Sequence, residues 1–258
     1  MWRIRIDATE ERLALEVRDA DVLLAYFYTF NIKDHRIDEL KLQQHITWWQ
    51  GLEDAHDGLV LLHGYADRQL GQHKGITALN ATSGNMQWEQ PELAFYGIAS
   101  DGLFAYLTAD PEADFSLIAS STGKNITDYV PQQEAIIAID SYSLTRYSKC
   151  TYPMLYLQGG EYFSDLQVFL QQQLDVSVIK AIEYAEAGAC FVASYYVQAG
   201  SDKLDNFVVV FDLEGHLLLQ VQLGGSLDGI GSDTFFIFKD ELYLIRNKNL
   251  LQVYKLPI

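Results

Sequence analysis

Cysteine, proline and positive charge are the three things this chain of 258 residues has little of. Its two cysteines, Cys150 and Cys190, stand far apart in apolar, strand-like runs. Buried free thiols are therefore expected in preference to a disulfide or a metal site. No apolar stretch approaches the ~18 residues that would suggest a membrane-crossing helix. The first residues, Met-Trp-Arg-Ile-Arg-Ile-Asp, alternate instead of placing an apolar core after a basic start. No secretory leader is therefore read, and a cytoplasmic location is expected. Lysine and arginine total 18 against 35 acidic residues, a net charge of −17. A surface so electronegative repels nucleic acid and anionic membrane, so neither is expected as a partner. The densest positive group, Lys33 to Arg36, is interrupted by Asp34 and followed by Asp38 and Glu39. The acidity is read as a means of solubility. There is also no Gly-x-Ser-x-Gly elbow, phosphate loop or dinucleotide fingerprint. The glycine-rich residues 223–231 are followed by strand-like segments and read as a tight connection.

What the chain does have is apolar bulk, at 49%, and aromatic residues, at 13%. Sixteen tyrosines and thirteen phenylalanines are residues that strands favour. One pattern recurs five times: a polar turn followed at once by an apolar run. The turns are Asp19-Ala20-Asp21, Asp57-Gly58, Asp101-Gly102, Ala187-Gly188 and Asp240-Glu241. Apolar runs across such a turn are the strongest short-range hairpin signal. Second hairpins follow around Asp34, at residues 80–84, after Ile139-Asp140 and at residues 211–215. The runs before two of these, residues 135–139 and 207–211, are nearly continuous, as expected of strands covered on both faces.

Two hairpins in roughly 45 residues make a four-stranded propeller blade. The expected fold is all-β: a single β-propeller domain over 1–258 with five four-stranded blades, six being the alternative. The ring would close by pairing the N-terminal strand, residues 2–6, with the last blade, leaving no open edge. Insertions are expected near 108–133 and 159–175. The second could hold a short helix from Ser164, with Leu166, Phe169, Leu170 and Leu174 on one face.

Residues 75–88, Gly-Ile-Thr-Ala-Leu-Asn-Ala-Thr-Ser-Gly-Asn-Met-Gln-Trp, form the best-preserved hairpin. This segment resembles the WD-like blade repeat of pyrroloquinoline-quinone-type propellers, whose pattern is apolar-Ala-Leu-Asp/Asn, then Thr/Ser-Gly, then Trp. The resemblance implies a blade and not a quinoprotein, so no cofactor is expected. As a whole the chain is similar to a small uncharacterised bacterial family known only as a domain of unknown function. Trp48-Trp49-x-Gly51-Leu52, His63-Gly64-Tyr65 and His73-Lys74-Gly75-Ile76 carry that likeness, and it implies no activity.

Five histidines, His35, His45, His56, His63 and His73, lie close in sequence, near Glu53, Asp54 and Asp57. None of the pairs has the i, i+2 or i, i+4 spacing that lines ligands on one strand or helix face, so no metal is expected. Among carboxylates, Glu53, Asp67 and Asp110 show no pairing that would single them out. Long connections at residues 66–74, 108–133 and 198–206 would gather on one face of a propeller, where binding tends to reside. The candidate binding residues are Trp48, Trp49, Glu53, His63, Tyr65, His73 and Lys74. The expected function is a non-catalytic binding or scaffolding propeller, a monomer, holding a protein or small-molecule ligand on that face. The alternative is a hydrolase- or lyase-type enzyme with a polar or metal site at the channel mouth. The two differ in one observable: the enzyme needs carboxylates or histidines within hydrogen-bonding distance of one another.

Overall fold

A computed structural model describes residues 3–42, 48–110 and 114–257. The chain forms two compact units, one extending to Tyr147 and the other beginning at Ser148. In the first, β1 (Arg3–Asp7), β2 (Arg12–Asp19), β3 (Leu24–Asn31) and β4 (Arg36–Glu39) form one antiparallel sheet in chain order. A second sheet of the same kind comprises β5 (Gly51–His56), β6 (Leu59–Asp67), β7 (Gln72–Asn80) and β8 (Met86–Gln90). The third comprises β9 (Leu93–Ala99), β10 (Gly102–Leu107), β11 (Phe115–Ile118) and β12 (Asn125–Val130), and α1 (Gln132–Arg146) follows it.

The second unit opens with β13 (Cys150–Thr151), β14 (Met154–Leu157) and α2 (Phe163–Leu174). Then come β15 (Val178–Ala187), β16 (Cys190–Gln198), β17 (Leu204–Asp212) and β18 (Leu217–Leu227). The chain ends with β19 (Phe235–Phe238), β20 (Glu241–Arg246) and β21 (Leu250–Lys255). Strands β14 to β18 make a five-stranded sheet, and β13 joins the last three strands in the order β13-β19-β20-β21. No described helix is long and apolar enough to cross a membrane.

Apolar runs form these strands because each central strand is buried on both faces. In β6, Val60 and Leu62 enter a core shared with Ala14, Phe27 and Leu52, while Leu59 and Leu61 enter another with Ile98 and Leu103. In β17, Val208 and Val210 pack with Val192 and Leu244, while Val209 and Phe211 pack with Leu170 of α2. Period-two side chains feeding two cores leave no polar position, which explains the unbroken runs. The turn at residues 80–84 is held by Asn80, whose Oδ1 accepts the N–H groups of Thr82 (3.0 Å) and Ser83 (2.8 Å). Gly84 takes the left-handed conformation there, φ +71°.

Four sequence expectations are corrected. Residues 135–139 are helix α1, not an inner strand. Ala135, Ala138, Ile139 and Tyr142 recur at helical spacing and face the third sheet or its neighbour, and a short apolar run does not by itself reveal its period. Residues 108–133 are no simple insertion, because β11 and β12 pair as the third and fourth strands of the third sheet. Arg3–Asp7 pairs with Arg12–Glu16 of its own sheet, and it is β13 that completes the sheet of the last three strands. The connection expected over residues 66–74 is largely strand, since Gly64↔Lys74, Tyr65↔His73 and Asp67↔Gln72 are paired. Residues 159–175 hold α2, which starts one residue before Ser164, after Tyr162 in the left-handed conformation. Its Phe163 and Leu170 are buried against the five-stranded sheet.

The end of α1 is fastened to the second sheet by a buried ion pair. Arg146 donates from Nη1 to Asp54 Oδ2 (2.9 Å) and from Nη2 to Asp54 Oδ1 (2.7 Å). Nη2 also donates to the Ala55 carbonyl (2.5 Å). Burial opposes the charge on this guanidinium, but Asp54 outweighs it and keeps the group protonated. Removing one partner strands the other charge, so Arg146→Met should lower the unfolding free energy by about 3–5 kcal/mol. Arg146→Met combined with Asp54→Leu should recover most of that loss. Urea titration of the three variants measures both differences.

Candidate functional site

The site begins with an irregularity in β5. Its register against β6 shifts between Leu52 and Asp54, making Glu53 the extra residue of a β-bulge. The consequence is visible in the core, where Leu52 and Ala55 belong to the same cluster although three positions apart. A regular strand would send them to opposite faces, and one extra residue reverses the phase. Glu53 and Asp54 thereby reach the same cavity. A second register shift sets Gly75 and Ile76 of β7 opposite the single residue His63 of β6.

Across these strands three side chains converge. His63 Nδ1 lies 2.8 Å from Glu53 Oε1, and His73 Nδ1 is hydrogen-bonded to that same oxygen. The two imidazoles stack with centroids 3.5 Å apart and planes 12° from parallel. Tyr65 meets both rings edge-on, at 5.1 Å and 5.4 Å. His63 is buried at 2% exposure, yet neither of its nitrogens has a hydrogen-bond partner. Its approach to Glu53 is thus one of proximity, off the line of a directed bond. Gly51 makes room for it, since a Cβ there would stand 2.5 Å from His63 Cε1 and 2.6 Å from Nε2.

The electrostatics follow from burial and pairing. Burial alone would raise the Glu53 carboxyl, but His63 and His73 beside it prevail and bring it down to about 2. Burial pushes His63 below the ordinary histidine value in spite of Glu53, so this imidazole is neutral near pH 7. The cluster is a fixed carboxylate against one buried neutral imidazole and one half-exposed imidazole.

Glu53 and His73 border a cavity of about 580 Å³ within the first unit. Arg5, Asp54 and Arg146 supply further charge, and Tyr96, Tyr106 and Ile139 supply apolar wall. Tyr96 comes from a third bulge, where β9 shifts register against β10. Gly97 beside it lets α1 approach, because a Cβ there would stand 2.6 Å from Ile139 Cδ1.

Of the residues singled out in the sequence, Glu53, His63, Tyr65 and His73 come together. Trp49 touches Tyr65 edge-on at 5.8 Å and carries the Arg68 guanidinium over its ring. Trp48 lies instead under Arg18, which also donates to its carbonyl (2.9 Å). Lys74 points elsewhere and pairs with Glu92 at 2.7 Å. His35 stacks on Phe30, and His56 sits beside Asp57 and Tyr142. His45 and residues 1–2 lie outside the described residues. Asp67 caps its own turn through Gln69 and Leu70. Arg5, Tyr96 and Arg146 are cavity residues that the sequence does not single out, and Asp54 stands out there only as a neighbour of the histidines. Only the alternation of Arg3 and Arg5 signalled outward-facing strand positions, and nothing local marks Arg146, which acts across 92 residues.

Residues 6–88, which hold all three clustered side chains, match the model of a family described as "Domain of unknown function (DUF4905)". No curated protein matches the chain. Among solved structures, it is similar to the β-propeller domain of the Trilobed protease from Pyrococcus furiosus, at 10% identity and a TM-score of 0.31. That match covers 98% of this chain and 65% of the other. It is also similar to a structure from a study of two prolyl endopeptidases, at 10% identity and a TM-score of 0.36, covering 99% of this chain and 50% of that one. The chain thus spans less than two thirds of the length of either protein.

Two expectations follow from the cluster. In Gly51→Ala the new methyl collides with a buried ring held by Tyr65, and stability should fall by about 1–3 kcal/mol, readable in thermal melts. Glu53 has a depressed carboxyl, so its contribution is complete above pH 4.5 and fades as pH falls toward about 2. Over that window wild type should lose on the order of 2 kcal/mol more than Glu53→Gln in denaturant titrations.

Proposed function

We propose that the chain is a five-bladed β-propeller forming one domain, and that it is a small-molecule-binding module using the cavity beside Glu53 and His73. Consecutive four-stranded order and central strands buried on both faces support the blades. The observation that carries the function is the cavity itself. Its volume of about 580 Å³ lies in the range of small-ligand sites, and its wall combines tyrosine and isoleucine with a few fixed charges. Asp54 is already paired with Arg146, which leaves Glu53, His73 and Arg5 to orient a ligand. The fitting class is a small polar molecule with a ring or short apolar body, able to donate to a carboxylate. Nucleic acid does not suit a chain of net charge −17, and the reading places the protein in the cytoplasm as a monomer.

The second reading, a hydrolase- or lyase-type site, is supported by the Glu53–His73 hydrogen bond at the cavity wall. A carboxylate orienting an imidazole is how proteins present a general base. It predicts turnover that His73→Gln abolishes.

The test is a thermal-shift screen of metabolite-like compounds against wild type and Ser143→Trp, in which an indole fills the cavity from α1. A binder at a hundredfold excess over its Kd stabilises by about 2.7 kcal/mol. The stabilisation should vanish in Ser143→Trp and persist in Lys74→Ala. A screen without a binder, or binders indifferent to Ser143→Trp, overturns the proposal.

A further inference from the structure

We infer that Glu53, His63 and His73 form a site for one divalent first-row transition-metal ion at the edge of the cavity. One donor atom from each lies within 4.8 Å of the others. Two imidazoles and one carboxylate are the protein ligand set of open zinc and non-haem iron sites, where the remaining positions take water or a ligand. Here those positions would fall on the side of the cavity that Glu53 and His73 line.

A second, independent observation is the state of His63. Its side chain is 1% exposed, and neither nitrogen is hydrogen-bonded. Leaving such a group unsatisfied costs about 1–3 kcal/mol, which a ligand at Nδ1 would remove. Nε2 is turned toward Gly51, so Nδ1, beside Glu53, is the atom that can ligate. Arg5 holds the Glu53 backbone by donating to its carbonyl (2.7 Å), and Tyr65 wedges against both rings. These contacts support the ligand side chains from behind.

Metal entry asks for a small movement. Bonds of about 2.0–2.1 Å in tetrahedral geometry place donors about 3.4 Å apart, against 2.8 Å between His63 Nδ1 and Glu53 Oε1. The Glu53 carboxylate must therefore draw back from the imidazoles, and His73, at 32% side-chain exposure, can adjust toward solvent. Among the described residues, the other grouping of this kind, Asp212, Glu214 and His216, is a surface turn in which Asp212 caps Glu214 and His216. The Asp212 carboxylate is already engaged by its own turn and by His216 Nδ1, and the grouping serves as the internal control.

The site does not rest on the small-molecule reading, because the ion is held by protein ligands alone. The test is isothermal titration of chelator-treated protein with Zn²⁺, followed by Co²⁺ absorption spectroscopy. One ion per chain should bind, with tetrahedral or five-coordinate Co²⁺ bands. His73→Gln and Glu53→Gln should each weaken binding at least 100-fold, and Asp212→Asn with His216→Gln should leave it unchanged. His73 is half-exposed, so its variant keeps the test valid if His63→Gln fails to fold. Absence of binding to wild type, or binding lost in the Asp212/His216 variant and kept in His73→Gln, overturns the inference. The ligand screen run on chelator-treated protein separates the two outcomes, since the cavity can bind without the ion and the ion without a cavity ligand.

Discussion

The constraint on which the structure depends is that its central strands are covered on both faces. Strand β6 sends Val60 and Leu62 into one core and Leu59 and Leu61 into the next, and β17 divides Val208 to Phe211 in the same way. Most residues of such a strand are committed to an apolar neighbour, so a polar side chain enters with a partner of its own, as Glu16 does, or where the alternation is broken. In the first unit it is broken at Glu53 of β5 and at Tyr96 of β9. The candidate site is assembled largely from those interruptions.

The polar groups that do enter the interior are closely matched. Asp54 and Arg146 satisfy each other in a bidentate pair. Glu16, fully buried, bonds Arg18 and the Leu52 N–H (2.8 Å), and Arg18 reaches the carbonyls of Trp48 and Gln50. These networks hold β5 and the segment before it against β2. His63 is buried as deeply, and beyond its approach to Glu53 neither of its nitrogens has a directed hydrogen bond. Both nitrogens of one buried ring left without a directed bond, beside a carboxylate and a second imidazole, mark the cluster as a place for a ligand.

Sequence reasoning reached the hairpins wherever a turn carried its own signal. Asp57-Gly58, residues 80–84 and Ala187-Gly188 all turn where expected, because glycine and short polar side chains set the chain direction locally. It failed at residues 135–139, where an apolar run of five is compatible with either period. The deciding information was the face on which Ala138, Ile139 and Tyr142 would pack. The five histidines stand out in the sequence, but their spacing does not place any two on one strand or helix face. That criterion assumes ligands on one strand, whereas Glu53, His63 and His73 come from three neighbouring strands.

The sequence by itself determined the hairpin units, the predominance of strand and the acidic surface, since each follows from composition or from turns a few residues long. It also determined which aromatic and ionisable residues were available near residues 48–75. Tertiary structure alone decided which of them meet. Contacts such as His63 on His73 and Arg146 on Asp54 depend on register shifts and on a helix end returning to a distant sheet. A bulge is a choice among pairings of nearly equal local energy, settled by the packing of both faces, and no residue in β5 announces it.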